Sequence, residues 1–146
     1  MTTKHLQIAT AIVDMLKADA VAAGRVYGAR TRAISAEQPN GVVVRLERSM
    51  SHLASVQGGP TGWTTLIAIE CYGRAVGGAP DAVADEIVES VFDSMAAGPT
   101  LGGLAQDIEP LEGDTLSWDF DELDSNLACI TAKFVVRHQT TGRTLT

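Results

Sequence analysis

The densest group of side chains that could do chemistry is an acidic run near residue 120. Asp119, Asp121, Glu122 and Asp124 supply carboxylates close together in the sequence, and carboxylate oxygens are preferred ligands of Ca²⁺ and Mg²⁺. The run lacks the Gly and the terminal Glu of an EF-hand loop. Alternation along a strand would also place Asp119 and Asp121 on one face. We interpret the run as a solvated strand end or subunit rim, with cation binding as the alternative.

The histidines and cysteines do not form a metal-binding motif. His5, His52 and His138 fall at a helix start, in a loop and at a strand end, and no His-x-x-x-His, Cys-x-x-Cys or His-Glu-x-x-His spacing occurs. We interpret the three imidazoles as surface groups. Cys71 and Cys129 each lie in a predicted buried strand, where cysteine behaves as a small hydrophobic residue. A disulfide between them stays open, since it requires the two strands to be neighbours.

Sequence motifs for phosphate binding or nucleophilic catalysis are missing. The glycine pairs at 77–78 and 102–103 lack the rest of a P-loop or of Gly-x-Gly-x-x-Gly, which indicates turns. No Gly-x-Ser-x-Gly occurs, and Ser49 and the other loop serines have no base indicated nearby. Trp63 and Trp118 are typical of core or interface anchors. We expect no enzyme activity, no cofactor and no metal; a hydrolase or isomerase would need a nucleophile–base pair.

Composition and charge restrict the classes of partner. The 146 residues have a formal net charge of −7, and 45% of them are hydrophobic and 20% charged. These values are typical of one globular domain, and the negative surface disfavours sequence-specific binding of nucleic acid. No apolar run approaches the ~20 residues that span a bilayer, and the N-terminal residues do not have the layout of a signal peptide. We expect a protein that stays in the cytoplasm where it is made and makes no membrane contact.

Hydrophobic periodicity predicts two helices and several strands. Apolar spacings of three and four predict helices over 4–22 and 81–97, while period-two alternation predicts a strand over 63–74. Shorter strands are predicted at 25–27, 42–47, 115–120 and 127–138, and one packed turn at 101–104. The order predicts an α+β fold, a mixed, mostly antiparallel sheet of about four to five strands with two helices packed on one face.

Residues 1–146 are predicted to form a single domain with irregular segments. The Ser-, Gly- and Pro-rich stretch 49–62 predicts a mobile hairpin loop, and residues 29–41 predict an extended loop. The polar stretch 139–146 predicts a C-terminal tail that is frayed or used by a partner. In an assembly protein such segments would reach neighbouring subunits.

Four stretches, in order along the chain, are similar to a known family. They are HLQIATAIVDML (5–16), RVYGAR (25–30) with QPNGVVVRL (38–46), WTTLIAIECY (63–72) leading into the acidic helix, and ACITAKFVV (128–136). Together they resemble the minor tail protein U family, the tail terminator proteins of long-tailed phages. The turn at 99–104 also resembles the turn after the second helix of small tail-completion proteins. The likeness is one of order and pattern and covers nearly the whole chain.

The resemblance implies a structural virion protein at the head-proximal end of the tail, assembled in the host cytoplasm. It implies a homo-oligomer, a hexameric ring that stops polymerisation of the tail tube protein and offers the attachment surface for the head-completion or connector protein. DNA would pass through the lumen without specific binding, and an acidic lumen would repel its phosphates. Ring closure requires a heterologous interface, in which two different patches meet.

Two sets of charged residues are the candidates for these surfaces. Acidic side chains expected at the lumen or the interface are Asp107, Glu109, Glu112, Asp114, Asp119 and Asp121. Basic side chains expected at the subunit interface, with ordinary surface solvation as the alternative, are Arg25, Arg30, Arg32, Arg45 and Arg48.

Other functions stay open beside the tail terminator. A connector or joining ring of the head–tail joint would have a similar sequence pattern. A tail-tube subunit would differ by open-ended assembly. A small metal- or ligand-binding module would use the acidic run and predicts thermal stabilisation by calcium.

Overall fold

The computed structural model describes residues 2–18, 25–28, 40–52, 58–75, 78–120 and 126–146, which contain two α-helices, a short 3-10 turn and six strands. In chain order the elements are α1 (Lys4–Lys17), β1 (Val26–Gly28), β2 (Asn40–His52), β3 (Thr61–Arg74), α2 (Pro80–Ala97), the 3-10 turn (Leu101–Gly103), β4 (Asp107–Pro110), β5 (Leu116–Phe120) and β6 (Leu127–Thr140). The predicted α+β fold is confirmed, with slightly more strands than expected.

The strands form one mixed sheet in the order β1-β2-β3-β6-β4, with β5 also paired to β6. β1 runs parallel to β2, and the remaining pairs are antiparallel. β4 pairs with 134–137 and β5 with 128–132 of β6, so these two strands lie end to end along one edge. Between them, the amide of Leu111 donates to Lys133 O and the amide of Lys133 donates to Thr115 O, both at 2.9 Å. Residues 112–114 therefore form a short excursion from a broken edge strand.

Both helices pack on one face of this sheet, and the core lies between the two layers. The inward-facing positions of β3 and β6 alternate as predicted, with Ile67 and Phe134 at the centre. No helix in the described part of the chain is long and apolar enough to cross a membrane. The helix residues that are buried against the sheet are Ile8, Ile12, Val13 and Leu16 of α1 and Ala84, Ile87, Val88, Val91 and Met95 of α2.

The last residues of the chain hold the start of α1. Thr3 caps the helix by accepting a 3.2 Å hydrogen bond from the amide of Leu6. The amide of Lys4, one of the groups that a helix leaves without an internal partner, donates to Leu145 O at 2.7 Å. Contrary to the expectation of a frayed tail, β6 continues to Thr140 and the residues after it are hydrogen bonded to the body of the protein.

The segment expected to be a mobile loop is shorter than 49–62. Residues 49–52 belong to β2 and residues 61–62 to β3, and these ends pair from Ser49 with Thr65 to His52 with Gly62. Of the remaining residues, 53–57 lie outside the described part of the chain, as do 19–24 of the predicted first helix and 29–39 of the predicted extended loop.

The two cysteines lie on neighbouring strands but on opposite faces of the sheet. In the β3–β6 register, Cys71 is directly opposite Ile130 and Cys129 is directly opposite Tyr72. Alternation along the strands therefore directs the two thiols to different faces. Both are free. Burial raises the pKa of both thiols, to about 11 for Cys129. The two residues are therefore protonated thiols at neutral pH, and this register does not allow a disulfide between them.

Candidate functional site

The sheet face opposite the helices carries many ionised side chains, and we call it the charged face. Its positions follow from strand register, because residues directly opposite each other on paired strands share a face. Arg45 is opposite Ala68, Asp107 is opposite Arg137 and Asp119 is opposite Cys129. The ionised residues of the charged face are Arg45, Glu47, Arg48, Glu70, Arg74, Asp107, Glu109, Asp114, Asp119, Lys133 and Arg137.

Cross-strand ion pairs connect β2, β3 and β6 on the charged face. Arg45 Nε lies 2.6 Å from Glu70 Oε1, and the hydroxyl of Tyr72 donates to the other oxygen of the same carboxylate. Lys133 Nζ lies 3.6 Å from Glu47 and 3.5 Å from Asp114. Because most of these groups are partly exposed, each pair contributes at most about 1 kcal/mol to stability. Their main effect is to fix where the charges lie.

Arg137 forms cross-strand ion pairs between β6 and β4. Its guanidinium is 3.7 Å from Asp107 and forms a closer contact with Glu109, so it bridges two carboxylates of β4. Across the ion-paired set, five carboxylates against three cations leave a net charge of −2. This ion-paired set is therefore weakly acidic, and its three cations are engaged by carboxylates of the same chain.

The structure collects the predicted acidic residues on one edge of the sheet. This acidic edge comprises β4, the excursion 112–114 and β5, and the segment 105–120 contains no Lys or Arg. Asp121 lies outside the described residues. The predicted residues present on the acidic edge are Asp107 and Glu109 in β4, Glu112 and Asp114 in the excursion, and Asp119 in β5.

The described members of the basic set lie at the opposite edge, on β1 and β2, which we call the basic edge. Arg25 directly precedes β1 and donates from Nε to Asn40 Oδ1 at 2.9 Å. Arg45 and Arg48 are exposed on β2. Glu47 is the one acid among 40–52, so this edge has a positive balance. Arg30 and Arg32 lie outside the described residues.

Three apolar side chains are exposed at the two edges, and the sequence analysis did not identify them as a group. Trp118 of β5 is 56% exposed, Leu6 of α1 48% and Leu46 of β2 40%. Leu6 and Leu46 line a groove of about 380 Å³ between α1 and β2, together with Ala9 and Val13. Sequence periodicity can show that a side chain lies off the core, but it cannot show that two such residues share a groove.

A polar cluster under the start of α1 was missed by the sequence reasoning. His5 Nε2 is 3.0 Å from Ser49 Oγ, Ser49 Oγ is 2.8 Å from Thr65 Oγ1, and Thr65 Oγ1 is 2.7 Å from His138 Nε2. The interpretation of all three histidines as surface groups is wrong for His138, which is completely buried. The placement of Ser49 in a loop without a base nearby is also wrong.

The geometry of this polar cluster is that of a packing contact between α1 and the sheet. Burial, followed by the nearby His5 and Lys4, lowers the pKa of His138 to about 4, so its imidazole is neutral at physiological pH. The His5 ring meets the rings of Trp63 and His138 edge-on, with centroids 4.8 and 4.7 Å apart. The grooves beside α1 are lined by other residues. We infer that the cluster attaches α1 to the sheet.

The buried imidazole of His138 makes stability depend on pH. Between about pH 6.5 and pH 4 the unfolded chain protonates this residue and the folded chain does not, so the free energy of unfolding should fall as pH falls through that window. The expected loss is up to about 3 kcal/mol. Urea unfolding of the wild type and of His138→Asn at several pH values measures this loss. Carboxylate titrations affect both proteins equally, so they cancel when the two free energies of unfolding are subtracted.

The exposed His52 provides the control for this experiment. His52→Asn should keep the pH dependence of the wild type, whereas His138→Asn should have a flatter curve over the same window. Parallel curves for wild type and His138→Asn would contradict the assignment.

The residues of the cation-binding alternative lie only in part within the described chain. Within the part of the chain that the structure describes, no three His, Cys, Asp or Glu side chains are grouped closely enough to hold a metal ion. Asp121, Glu122 and Asp124 of the acidic run lie outside that part. Cation binding by the run remains a prediction.

Comparisons with known proteins establish a shared fold. No protein-family model and no curated protein matches the sequence. Among solved structures, the chain is similar to a chain of the virion of a native gene transfer agent particle, with a TM-score of 0.63. The two are 23% identical, and the match covers 91% of this chain and 95% of the other. Nearly the whole domain thus lies within the shared fold.

Proposed function

We propose that this chain is a non-enzymatic structural protein of a phage-like virion. The observation that carries the proposal is the fold, which is shared over 91% of the chain with a component of a gene transfer agent virion. The finer assignment is a tail terminator, a ring that caps the head-proximal end of the tail tube, ends its polymerisation and offers the surface to which the head attaches. It is supported by the order of the sequence stretches that resemble tail terminators and by the surface described above.

The two edges of the sheet support a ring. A ring of identical subunits needs two different, complementary patches on each subunit. Here one edge of the sheet is acidic and the opposite edge has a positive balance, so successive copies attract each other head to tail. A hexamer is the expected number.

The charged face is the candidate lining of the ring lumen. It has a net negative charge in its ion-paired set, and its cations Lys133 and Arg137 are held by carboxylates. A lining of this kind gives phosphates little to bind, so DNA would slide through it. Four of the acidic residues expected at the lumen or the interface lie on this face, which supports the proposal: Asp107, Glu109, Asp114 and Asp119.

The test is to add the purified chain to tail tubes while they polymerise. Tube lengths and tube ends are measured by negative-stain imaging, and the chain alone is sized by light scattering after size exclusion. We expect a discrete ring, one ring per tube end, and arrested growth, with heads attaching only to capped tubes. Buffer without the chain is the control and should give longer, uncapped tubes.

Other outcomes would replace the terminator assignment. Open-ended tubes formed by the chain alone would make it a tail-tube subunit, and rings that bind heads but leave tube growth unchanged would make it a connector. Thermal stabilisation by calcium without any assembly would favour the ligand-binding module.

A further inference from the structure

We propose that subunits join edge to edge, the acidic edge of one copy docking on the basic edge of the next, with Trp118 entering the groove between α1 and β2. This inference rests on the proposed ring function and specifies its interface. The occupant of the groove is a second copy of this chain. Two independent kinds of complementarity support it, one apolar and one electrostatic.

The apolar complementarity lies on the helix side of the sheet. Trp118 is opposite Ile130, a buried core residue, and is itself 56% exposed at the end of the sheet. On the other edge, Leu46 is opposite the buried Ile67, so it also lies on the helix side, where it faces the groove with Leu6. A large exposed indole on an edge strand is a typical interface anchor, and an apolar groove of about 380 Å³ is a suitable receptor for it.

The electrostatic complementarity lies on the charged face. Asp119 is opposite Cys129 and points to that face at the acidic edge. Arg48 is opposite Leu66 and Arg45 is opposite Ala68, so both point to the same face at the basic edge. Complementary charges across an interface fix orientation and accelerate association.

Both kinds of contact arise in a single orientation. When two copies lie side by side with their helices in the same layer, Trp118 of one faces the groove of the next and Asp119 faces Arg48. Turning one copy over would place the indole against charges and the carboxylate against the groove. The complementarity therefore selects one head-to-tail arrangement, which repeats around a ring.

The backbone adds a third element. β1 covers only 42–44 of β2, so within the described residues the outer edge of 45–52 pairs with no other strand. β5 likewise has β6 as its strand partner in the described residues. Edge strands present unpaired amides and carbonyls that pair readily with a strand of another chain. Docking β5 beside β2 would continue the sheet from one subunit into the next.

Charge reversal at the two edges tests this interface. Arg48→Glu and Asp119→Arg should each raise the dissociation constant of self-association about tenfold or more, because like charges then face each other. The double variant Arg48→Glu/Asp119→Arg should recover association. An equimolar mixture of the two single variants should also recover association, because both contacts between unlike variants pair opposite charges and alternating copies can close a ring. Sedimentation velocity over a concentration series measures all four samples.

Matched variants separate the interface from general effects. Trp118→Ala should also weaken association about tenfold or more, whereas Leu145→Ala, which removes a side chain exposed to 47%, should not. Asp93→Arg on the exposed side of α2 is the control for charge. Circular dichroism shows that each variant is folded. A wild type that is monomeric at every concentration, or an oligomer unaffected by the edge variants, would overturn the inference.

The proposed interface and the proposed terminator function can fail independently of each other. If the double variant recovers rings and these rings do not arrest tail tubes, the interface stands and the terminator assignment fails. If the wild type arrests tubes and the edge variants do so equally well, the function stands and this interface is wrong.

Discussion

Gly73→Ala is expected to displace α2 from the sheet and to lower the free energy of unfolding by about 3 kcal/mol. A Cβ atom at this position would lie 2.5 Å from the amide nitrogen of Ala84, 2.6 Å from Pro80 O and 3.0 Å from the carbonyl carbon of Val83. All three are backbone atoms at the start of α2, so no side-chain rotation relieves the clash. Either the helix moves or β3 bends, and both open the core.

Gly62→Ala is the control because it makes the same change on the same strand. There the nearest atoms to a new Cβ belong to His52, at 3.7 and 3.8 Å, which is ordinary contact. Its stability should stay within about 0.5 kcal/mol of the wild type. Urea unfolding of the three proteins measures the difference, and equal midpoints for Gly73→Ala and Gly62→Ala would show that α2 does not approach β3 as closely as described.

The elements with a strong local pattern were predictable. α2 repeats apolar residues at three and four, and β3 and β6 alternate over more than ten residues, so the buried face of each follows from the sequence. The closeness of α2 to Gly73 was not predictable, because a glycine within a strand pattern does not indicate which element approaches it. That information lies in the packing of residues distant in sequence.

β4 was missed because its sequence is unfavourable for a strand. Asp-Ile-Glu-Pro contains two acids and a proline, all of low strand propensity. The segment is extended because β6 offers it an unpaired edge, and Pro110 is tolerated at the end of an edge strand. The polar ends of β2 and β3 between 49 and 62 were missed for the same reason, since pairing with a neighbouring strand outweighs local composition.

The sequence predicted which residue types form the candidate surfaces, but it predicted only in part where these residues lie on the fold. The sequence supplied the members of the acidic set and of the basic set, but the separation of the two sets onto opposite edges depends on strand order. Ion pairs such as Arg45 with Glu70 depend on register. His138 was within reach of the sequence, because extending the alternation of Phe134 and Val136 by two residues places it on the buried face.

Phe134→Ala is expected to remove the largest side chain of the core and to lower the free energy of unfolding by about 3 to 5 kcal/mol. Phe134 is 1% exposed and lies on β6, the strand paired with β3, β4 and β5. Its ring packs on Phe92 of α2, with centroids 4.9 Å apart, so truncation leaves a cavity between the helix and the sheet. At about 3 °C per kcal/mol for a domain of this size, the melting temperature should fall by about 10 °C.

Val135→Ala is the matched control, because it shortens the next side chain of the same strand on the charged face. Val135 is 9% exposed and lies outside the main core cluster, so its truncation should cost about 1 kcal/mol. Thermal unfolding must be followed over a range of protein concentrations, since self-association stabilises the folded chain by mass action. A cost for Val135→Ala that matches that of Phe134→Ala at low concentration would contradict the placement of the main core between the helices and the opposite face of the sheet.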